Sequence, residues 1–143
     1  MKVRSIMTPQ VIRIAPGESA AVAARLLAHY NIGALPVCTT DGRLCGMLTD
    51  RDVVTRCIAS GLDPAKTAVR QIMTGKVQCV TPDMDAGVAA HLMGSQQIRR
   101  LPVVEEGKLC GMVSLGDLAG REETGNDAKG ALADISNNVS VRR

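Results

Sequence analysis

The sequence predicts an α/β fold made from two copies of one short unit. Residues 35–52 and 101–117 share two short motifs, Leu-Pro-Val and, after it, Gly-x-Leu-Cys-Gly-Met. Residues 11–40 also align with 77–106. Both copies also alternate β-rich runs with helical patterns. A duplicated supersecondary unit usually buries its apolar face against its twin, so we expect one core made from two halves.

Each copy is predicted to run strand, helix, strand, strand, helix. In the first copy, Val11-Ile12-Arg13-Ile14 has the composition of a short strand, and Pro16 ends it. Ser19 is a good helix N-cap, and apolar residues recur at helical spacing as far as Tyr30. The first copy therefore opens with a strand and an amphipathic helix.

The second copy repeats these steps with residues of similar chemistry. Val80 takes the strand position, Pro82 follows it, and Asp85 replaces serine as the N-cap. After each helix, two β-rich runs joined by a glycine turn predict a hairpin, and the last helix of each copy is expected to begin near Asp50 or Leu115.

The hairpins differ in length by one residue, which bears on the cysteines. A two-residue turn in the first hairpin would place Cys38 opposite Cys45 and invite a disulfide. A common register for both hairpins instead pairs Val37 with Cys45, as it pairs Val103 with Cys110, and makes Thr40-Asp41-Gly42 a three-residue loop. We therefore expect Cys45 and Cys110 to be equivalent buried strand residues.

The repeats predict the division of the chain. Residues 1–61 form the first repeat, 62–75 a linker that doubles as the first segment of the second repeat, 76–123 the second repeat, and 124–143 a polar tail. Ile72-Met73-Thr74 echoes Ile6-Met7-Thr8. The tail is either pinned by something else or packs weakly as a short helix through Ala131, Leu132 and Ile135.

Composition excludes several classes of function. Only 1% of the 143 residues are aromatic and the formal charge is +3, so the stacking platforms and the basic footprint of nucleic-acid binders are absent. No stretch has the length and hydropathy of a signal peptide or a membrane span, which predicts a cytoplasmic protein with five reduced cysteines. His29 and His91 do not align and no metal-ligand spacing appears, so no metal site is expected. Nucleophile-elbow, P-loop and zinc-protease motifs are missing, which predicts a protein that is not an enzyme.

A hydroxyl and a carboxylate recur at the start of each last helix. Thr49 precedes Asp52 by three residues, as Ser114 precedes Asp117. A hydroxyl beside free backbone N–H groups suits a phosphate, and a carboxylate one turn later can accept from both hydroxyls of a ribose. The same pattern also serves as a near-capping box, so nucleotide binding and helix capping both remain open for each pair.

Charge distinguishes the two copies near these pairs. Gly33-Ala34 in the first copy becomes Arg99-Arg100 in the second, and a guanidinium there could neutralise a phosphate. Both arginines facing solvent is the alternative. Arg51 is a further candidate in the first copy, although it can equally belong to a solvated first turn.

These residues carry a resemblance to a known family. Gly46-Met47-Leu48-Thr49-Asp50-Arg51-Asp52 and Gly111-Met112-Val113-Ser114-Leu115-Gly116-Asp117 resemble the ends of cystathionine-β-synthase (CBS) domains. The resemblance covers about residues 5–122 and identifies a stand-alone tandem CBS-domain pair. It implies two β-α-β-β-α units related by a pseudo-twofold axis, with two clefts between them.

The resemblance also implies a function. Such pairs hold an adenine ring against backbone and apolar side chains, here at Ile14, Pro16, Ala34, Pro36, Val80, Pro82 and Pro102. Candidate ligands are AMP, ADP, ATP and S-adenosylmethionine, with no resident cofactor required. The implied protein is a regulatory module that senses such a ligand, forms a homodimer through its helices and signals to a separate effector protein, without nucleic-acid or membrane binding.

Two other functions stay open. In the first, the clefts stay empty and the dimer surface of a structural or interaction protein is the working part. In the second, the five cysteines form a thiol or metal sensor; they are Cys38, Cys45, Cys57, Cys79 and Cys110.

Overall fold

Two antiparallel hairpins and the helices around them form the protein in a computed structural model, which describes residues 1–120 and 125–141, with side chains as far as Ile135. Each copy holds one two-stranded sheet. The elements are α1 (Ala20–Tyr30), β1 (Ala34–Cys38), β2 (Leu44–Thr49), α2 (Asp50–Asp52), α3 (Val69–Ile72), α4 (Ala86–Gln96), β3 (Arg100–Glu105), β4 (Lys108–Ser114), α5 (Leu115–Ala119) and α6 (Gly125–Val141). A 3₁₀ turn at Val3–Ser5 precedes them, and α2 continues as a π-helical segment, Val53–Ile58. The mixed α/β fold predicted from the sequence is confirmed.

The long helices begin and end as the two copies predict. Ser19 accepts a hydrogen bond from the N–H of Val22 at 3.2 Å, and Asp85 accepts one from the N–H of Gly87 at 3.0 Å. The helices end at equivalent residues, Asn31 and Gln97, which both adopt the left-handed conformation. Both caps thus satisfy a free N–H of the first helical turn, although Ser19 accepts from the third helical residue and Asp85 from the second.

The first strand of each copy is shorter than the sequence predicts. Ile14 makes only an isolated parallel bridge with Val37, and Val80 makes the same bridge with Val103. Both backbone groups of Ile14 are used, since its N–H donates to Pro36 and its carbonyl accepts from Cys38. The prolines two residues later have no N–H and fix φ, so the pairing does not extend on their side of the bridge.

The register of the first hairpin corrects the predicted pairing of Val37. Val37 pairs with Gly46, and Cys38 pairs with Leu44, so that Cys45 is the extra residue of a β-bulge. The thiol of Cys45 donates to the carbonyl of Val37 at 3.2 Å, which explains why the two residues are still neighbours. Gly42 has the positive φ (87°) that the predicted loop requires.

The compact units do not follow the order of the repeats. The first-copy unit comprises residues 12–77 with 107–109; the second-copy unit comprises residues 1–11, 78–106 and the described residues from Cys110 onward. The sequence instead places residues 1–11 with the first copy and 62–75 at the start of the second. Residues 121–123, the end of the predicted second repeat, lie outside the described residues.

A close backbone contact holds each of these lead segments, as we call residues 1–11 and 62–77. Thr74 exchanges two backbone hydrogen bonds with Met47 in β2, and Thr8 exchanges two with Met112 in β4. A Cβ at the neighbouring Gly46 would lie 2.7 Å from the carbonyl oxygen of Thr74, and one at Gly111 would lie 2.7 Å from that of Thr8. Glycine is therefore required in both motifs for close packing.

Each unit has its own core of aliphatic side chains. In the first-copy unit the fully buried residues include Leu35, Leu48 and Val69; in the second-copy unit they include Leu101 and Leu118. Without phenylalanine or tryptophan, small and branched residues fill both cores.

The polar tail forms the long helix α6, which packs on α4 and α5. Ala128, Ala131 and Ile135 are buried, whereas Leu132 is 43% exposed and does not belong to the packed face. Gly94 of α4 permits the approach, because a Cβ there would lie 3.1 Å from the Cα of Ala131. Of the two alternatives that the sequence leaves open for the tail, the structure shows the helix, which is longer than residues 131–135 and has a packed face that excludes Leu132.

Candidate functional site

The hydroxyl and carboxylate of each motif form a complete capping box. In the first copy, the N–H of Asp52 donates to Oγ1 of Thr49 and the N–H of Thr49 donates to Oδ2 of Asp52, both at 3.0 Å. In the second copy, the corresponding distances between Ser114 and Asp117 are 3.1 and 2.8 Å. Capping is therefore established in both copies. It uses one carboxylate oxygen and the hydroxyl as an acceptor, and leaves the hydroxyl proton and the other carboxylate oxygen for further contacts.

The carboxylate of the first copy has an additional structural partner. Asp52 is only 8% exposed, and its Oδ1 lies 3.6 Å from Nε of Arg56. Arg56 also donates to the carbonyls of Ile72 and Met73. This ties the helix start to the lead segment of its own unit, while Arg51 remains exposed.

In each copy, a backbone hydrogen bond places Gly33 or Arg99 beside the hydroxyl–carboxylate motif. The N–H of Asp50 donates to the carbonyl of Gly33 at 3.1 Å, and the N–H of Leu115 donates to that of Arg99 at 2.9 Å. Ala34 pairs directly with Thr49 across the sheet. Within each unit, the residues predicted before the strand and at the helix start therefore lie together.

The apolar candidates mostly serve the cores. Ile14, Val80, Pro36, Pro82 and Pro102 are buried, and Pro16 and Ala34 are half-buried. The carbonyls of Pro36 and Pro102 accept from Ile14 and Val80. The carbonyls of Pro16 and Pro82 accept from the N–H groups of Arg70 and Arg4. These residues hold the strands and lead segments in place, and their contact with an adenine remains a prediction.

A cavity of about 440 Å³ opens beside the second motif, within the second-copy unit. Arg99, Arg100 and Ser114 line it, so the structure brings together three of the predicted residues, whereas Asp117 is not in the lining. Helix α6 adds Lys129 and Leu132 to the lining. Sequence reasoning missed this contribution, although Ala128, Lys129 and Leu132 have the spacing of one helix face.

The thiols show little of the chemistry of a sensor. All five cysteines are free. Burial raises the pKa of Cys38, Cys45 and Cys110, so these groups are thiols at neutral pH. Cys45 and Cys110 are equivalent, as predicted, but half-buried, and the Cys110 thiol donates to the carbonyl of Val103 at 3.3 Å.

The part of the chain that the structure describes contains neither a cluster of metal-ligating side chains nor a helix able to span a membrane. No group of three or more metal-ligating side chains occurs among residues 1–120 and 125–141. Within the same residues, no helix combines the length and apolar character needed to cross a bilayer.

These features define a class: an internally duplicated α/β module whose two copies each begin a helix with a hydroxyl–carboxylate pair. The model of the CBS domain matches the chain twice, at residues 3–58 and 69–122. The chain belongs to the CBS-domain family and is a tandem CBS-domain pair, as its motifs predict.

Relatives of known sequence or structure agree with this assignment. The CBS domain-containing protein YhcV of Bacillus subtilis is 41% identical over 134 residues, 94% of each chain. The crystal structure of Hypoxic Response Protein I with two coordinated zinc ions has a TM-score of 0.78 and 35% identity, covering 85% of this chain and 98% of that one. The CBS domain pair of protein MJ0100, in complex with 5'-methylthioadenosine and S-adenosyl-L-methionine, has a TM-score of 0.74 and 26% identity, covering 84% of this chain and 94% of that one.

Proposed function

We propose that this CBS pair is a regulatory module that binds an adenine nucleotide or a related adenosyl ligand and signals its presence to a separate protein. The observation that carries the proposal is the cavity of about 440 Å³ beside Ser114, lined by Arg99 and Arg100. Its volume falls within the range of small-molecule sites, roughly 300–1,000 Å³. Guanidinium groups match the geometry of phosphate, so the cavity suits an anionic nucleotide.

The capping box supports the same ligand class. The hydroxyl proton of Ser114 is not used by the cap and is able to donate to a phosphate oxygen. Asp117 has a second carboxylate oxygen that is able to accept from ribose hydroxyls. Because the MJ0100 pair binds two adenosyl compounds, adenine is the first base to test.

The remaining parts of the proposal concern assembly and location. We propose a non-catalytic, cytoplasmic homodimer that needs no resident cofactor and meets its effector protein through surfaces that change when ligand binds. Exposed apolar side chains on the helices of both units support a dimer; they are Tyr30, Val54, Ile58 and Val88.

Calorimetric titration with AMP, ADP, ATP and S-adenosylmethionine tests the binding step. We expect at least one to bind the wild-type protein and Asp117→Asn to weaken it by about 1.5–3 kcal/mol, the scale of a hydrogen bond to a charged group. Asparagine keeps an acceptor oxygen for the cap, so the variant should fold. Asp52→Asn is the matched control in the first copy, and equal affinity in all three proteins would contradict a role for Asp117.

A structural dimer is the second candidate, favoured by Val54 and Ile58, which are 58% and 54% exposed. Thermal unfolding separates the two functions. A ligand at 100 times its Kd stabilises the folded state by about 2.7 kcal/mol, whereas a module with empty clefts shows no shift with any of the four compounds. In that case Ile58→Asp, which places a charge on the apolar surface, should convert dimer to monomer in light scattering.

A further inference from the structure

Helix α6 builds one wall of the cavity beside Ser114, although it lies outside the duplicated sequence. Its buried face, Ala128, Ala131 and Ile135, packs on the second-copy unit. Lys129 and Leu132 flank that face and line the cavity instead. The exposure of Leu132, 43%, is thus the exposure of a cavity wall.

Positive charge dominates this cavity. Arg99 directly precedes β3, Arg100 begins it and Lys129 comes from α6, and among the residues that the structure describes no acidic side chain is part of the lining. Among the described residues, none of these three cations forms an ion pair. Asp127, the acidic residue nearest to Lys129 in sequence, lies with its Oδ1 3.5 Å from Nε2 of His91. Three like charges around one concave site raise the local concentration of anions.

The other lining residues suit the uncharged part of a nucleotide. Leu115 and Leu132 add apolar side chains to the lining, and Ser114 adds a hydroxyl. A ligand with an apolar base and charged phosphates matches this mixed lining.

We infer that the cavity selects nucleoside di- and triphosphates, and that Lys129 is the residue that determines this preference; the inference rests on the proposed function of the same site. Each added phosphate brings negative charge toward Arg99, Arg100 and Lys129. S-adenosylmethionine has no phosphate and is a net cation, because its sulfonium and ammonium groups outnumber its single carboxylate, so the three cations favour it less. The C-terminal helix therefore makes ligand binding by the second copy depend on the number of phosphates, through a residue that lies outside the CBS motif.

The test measures affinities of adenosine, AMP, ADP, ATP and S-adenosylmethionine by calorimetry for the wild-type protein, Lys129→Ala, Lys129→Arg and Lys66→Ala. Lys66 is exposed in the first-copy unit, so its replacement removes the same charge away from the cavity. We expect ATP and ADP to bind the wild type more tightly than S-adenosylmethionine. Lys129→Ala should weaken ATP about tenfold or more, leave adenosine unchanged, and be rescued by Lys129→Arg, whereas Lys66→Ala should match the wild type.

The outcomes separate the two proposals. If adenosine or S-adenosylmethionine binds and phosphates add no affinity, the inference about Lys129 is overturned while nucleoside sensing stands. Equal loss of ATP affinity in Lys129→Ala and Lys66→Ala also overturns it, since general charge then accounts for the effect. If none of the five compounds binds the wild type, the proposed function itself fails.

Discussion

The two copies share a backbone and differ in the charges that surround it. The N–H that starts the last helix donates to the carbonyl of Gly33 in one copy and of Arg99 in the other, at 3.1 and 2.9 Å. The hydroxyl–carboxylate caps are likewise the same. The side chains at the carbonyl are hydrogen in the first copy and guanidinium in the second. The two copies thus share the framework of the site and differ in its charge.

The carboxylates of the two caps also differ in what they contact. Asp52 is buried and lies near Arg56, whereas the described hydrogen bonds of Asp117 belong to the cap alone. Asp117 is also the more exposed residue. The first copy therefore uses its acid to join structural elements, and the second keeps its acid nearer to solvent.

The largest expected effect concerns the glycine that both motifs share. Gly111→Ala should lower the free energy of unfolding by about 3 kcal/mol, the upper end of the range for overpacking, because its Cβ would lie 2.7 Å from the carbonyl oxygen of Thr8. Gly46→Ala should cost a similar amount through Thr74. Denaturant unfolding measures both. Gly75→Ala is the control, since nothing lies within 4 Å of a Cβ there; an equal effect of all three would refute the close-packing explanation.

The second prediction separates the two acids. Asp52→Ala should destabilise the protein by about 1.5–3 kcal/mol, because it removes a charged acceptor and leaves Arg56 without this partner. Asp117→Ala should cost about 1 kcal/mol, the scale of a lost cap. Chemical denaturation without ligand provides the comparison. If the Asp117 variant proves the less stable one, the structural role assigned to Asp52 is incorrect.

The third prediction concerns the seat of α6. Gly94→Ala should reduce hydrogen-exchange protection of α6, because its Cβ would lie 3.1 Å from the backbone of Ala131. The equivalent residue of the first copy, Ala28, is exposed, so Ala28→Gly should cost only about 0.5–1 kcal/mol of helix propensity. Gly130→Ala, which meets open space on α6 itself, should leave protection intact or increased. Unchanged exchange in Gly94→Ala would mean that this glycine does not set the packing.

The smallest effect comes from an ion pair found in the second copy. Arg4 donates to Asp83 at 2.7 Å and lowers the pKa of that carboxyl, whereas the equivalent first-copy residues are Arg70 and Gly17. A lowered folded-state pKa contributes stability above the unfolded value, about 3.9, and this contribution is lost as the pH falls through the folded value. Wild type and Asp83→Asn should therefore differ slightly in melting temperature at pH 6, and this difference should shrink as the pH falls below the unfolded value. A difference that does not shrink on acidification would assign it to something other than the charge.

Local patterns in the sequence predicted much of the fold. The N-caps Ser19 and Asp85 and the positive φ of Gly42 follow from the chemistry of a few neighbouring residues, whereas the sequence left two alternatives open for the tail. The bulge at Cys45 was not predicted, because a one-residue length difference fits either a longer loop or a bulge. The position of the lead segments was also missed, because Thr8 and Met112 are 104 residues apart in the sequence and local periodicity does not predict such a contact.

The candidate site was predicted in part. The motifs identified Ser114, Asp117 and the arginine pair, because repetition marks where two copies agree and where they diverge. Lys129 had no counterpart with which to be compared. The position of Lys129 at the cavity depends on tertiary packing, because Gly94 lets α6 approach α4.

Residues 1–11 contact β4 of the second repeat, and residues 72–74 contact β2 of the first. This exchange affects how the chain folds. A fragment cut at the boundary between the repeats would carry residues 1–11 without β4, and β2 without residues 72–74, so neither half could satisfy its own sheet edge. A cut at this boundary therefore removes from each compact unit a segment that its hairpin contacts. During synthesis, Thr8 finds its partner only after Met112 has been made.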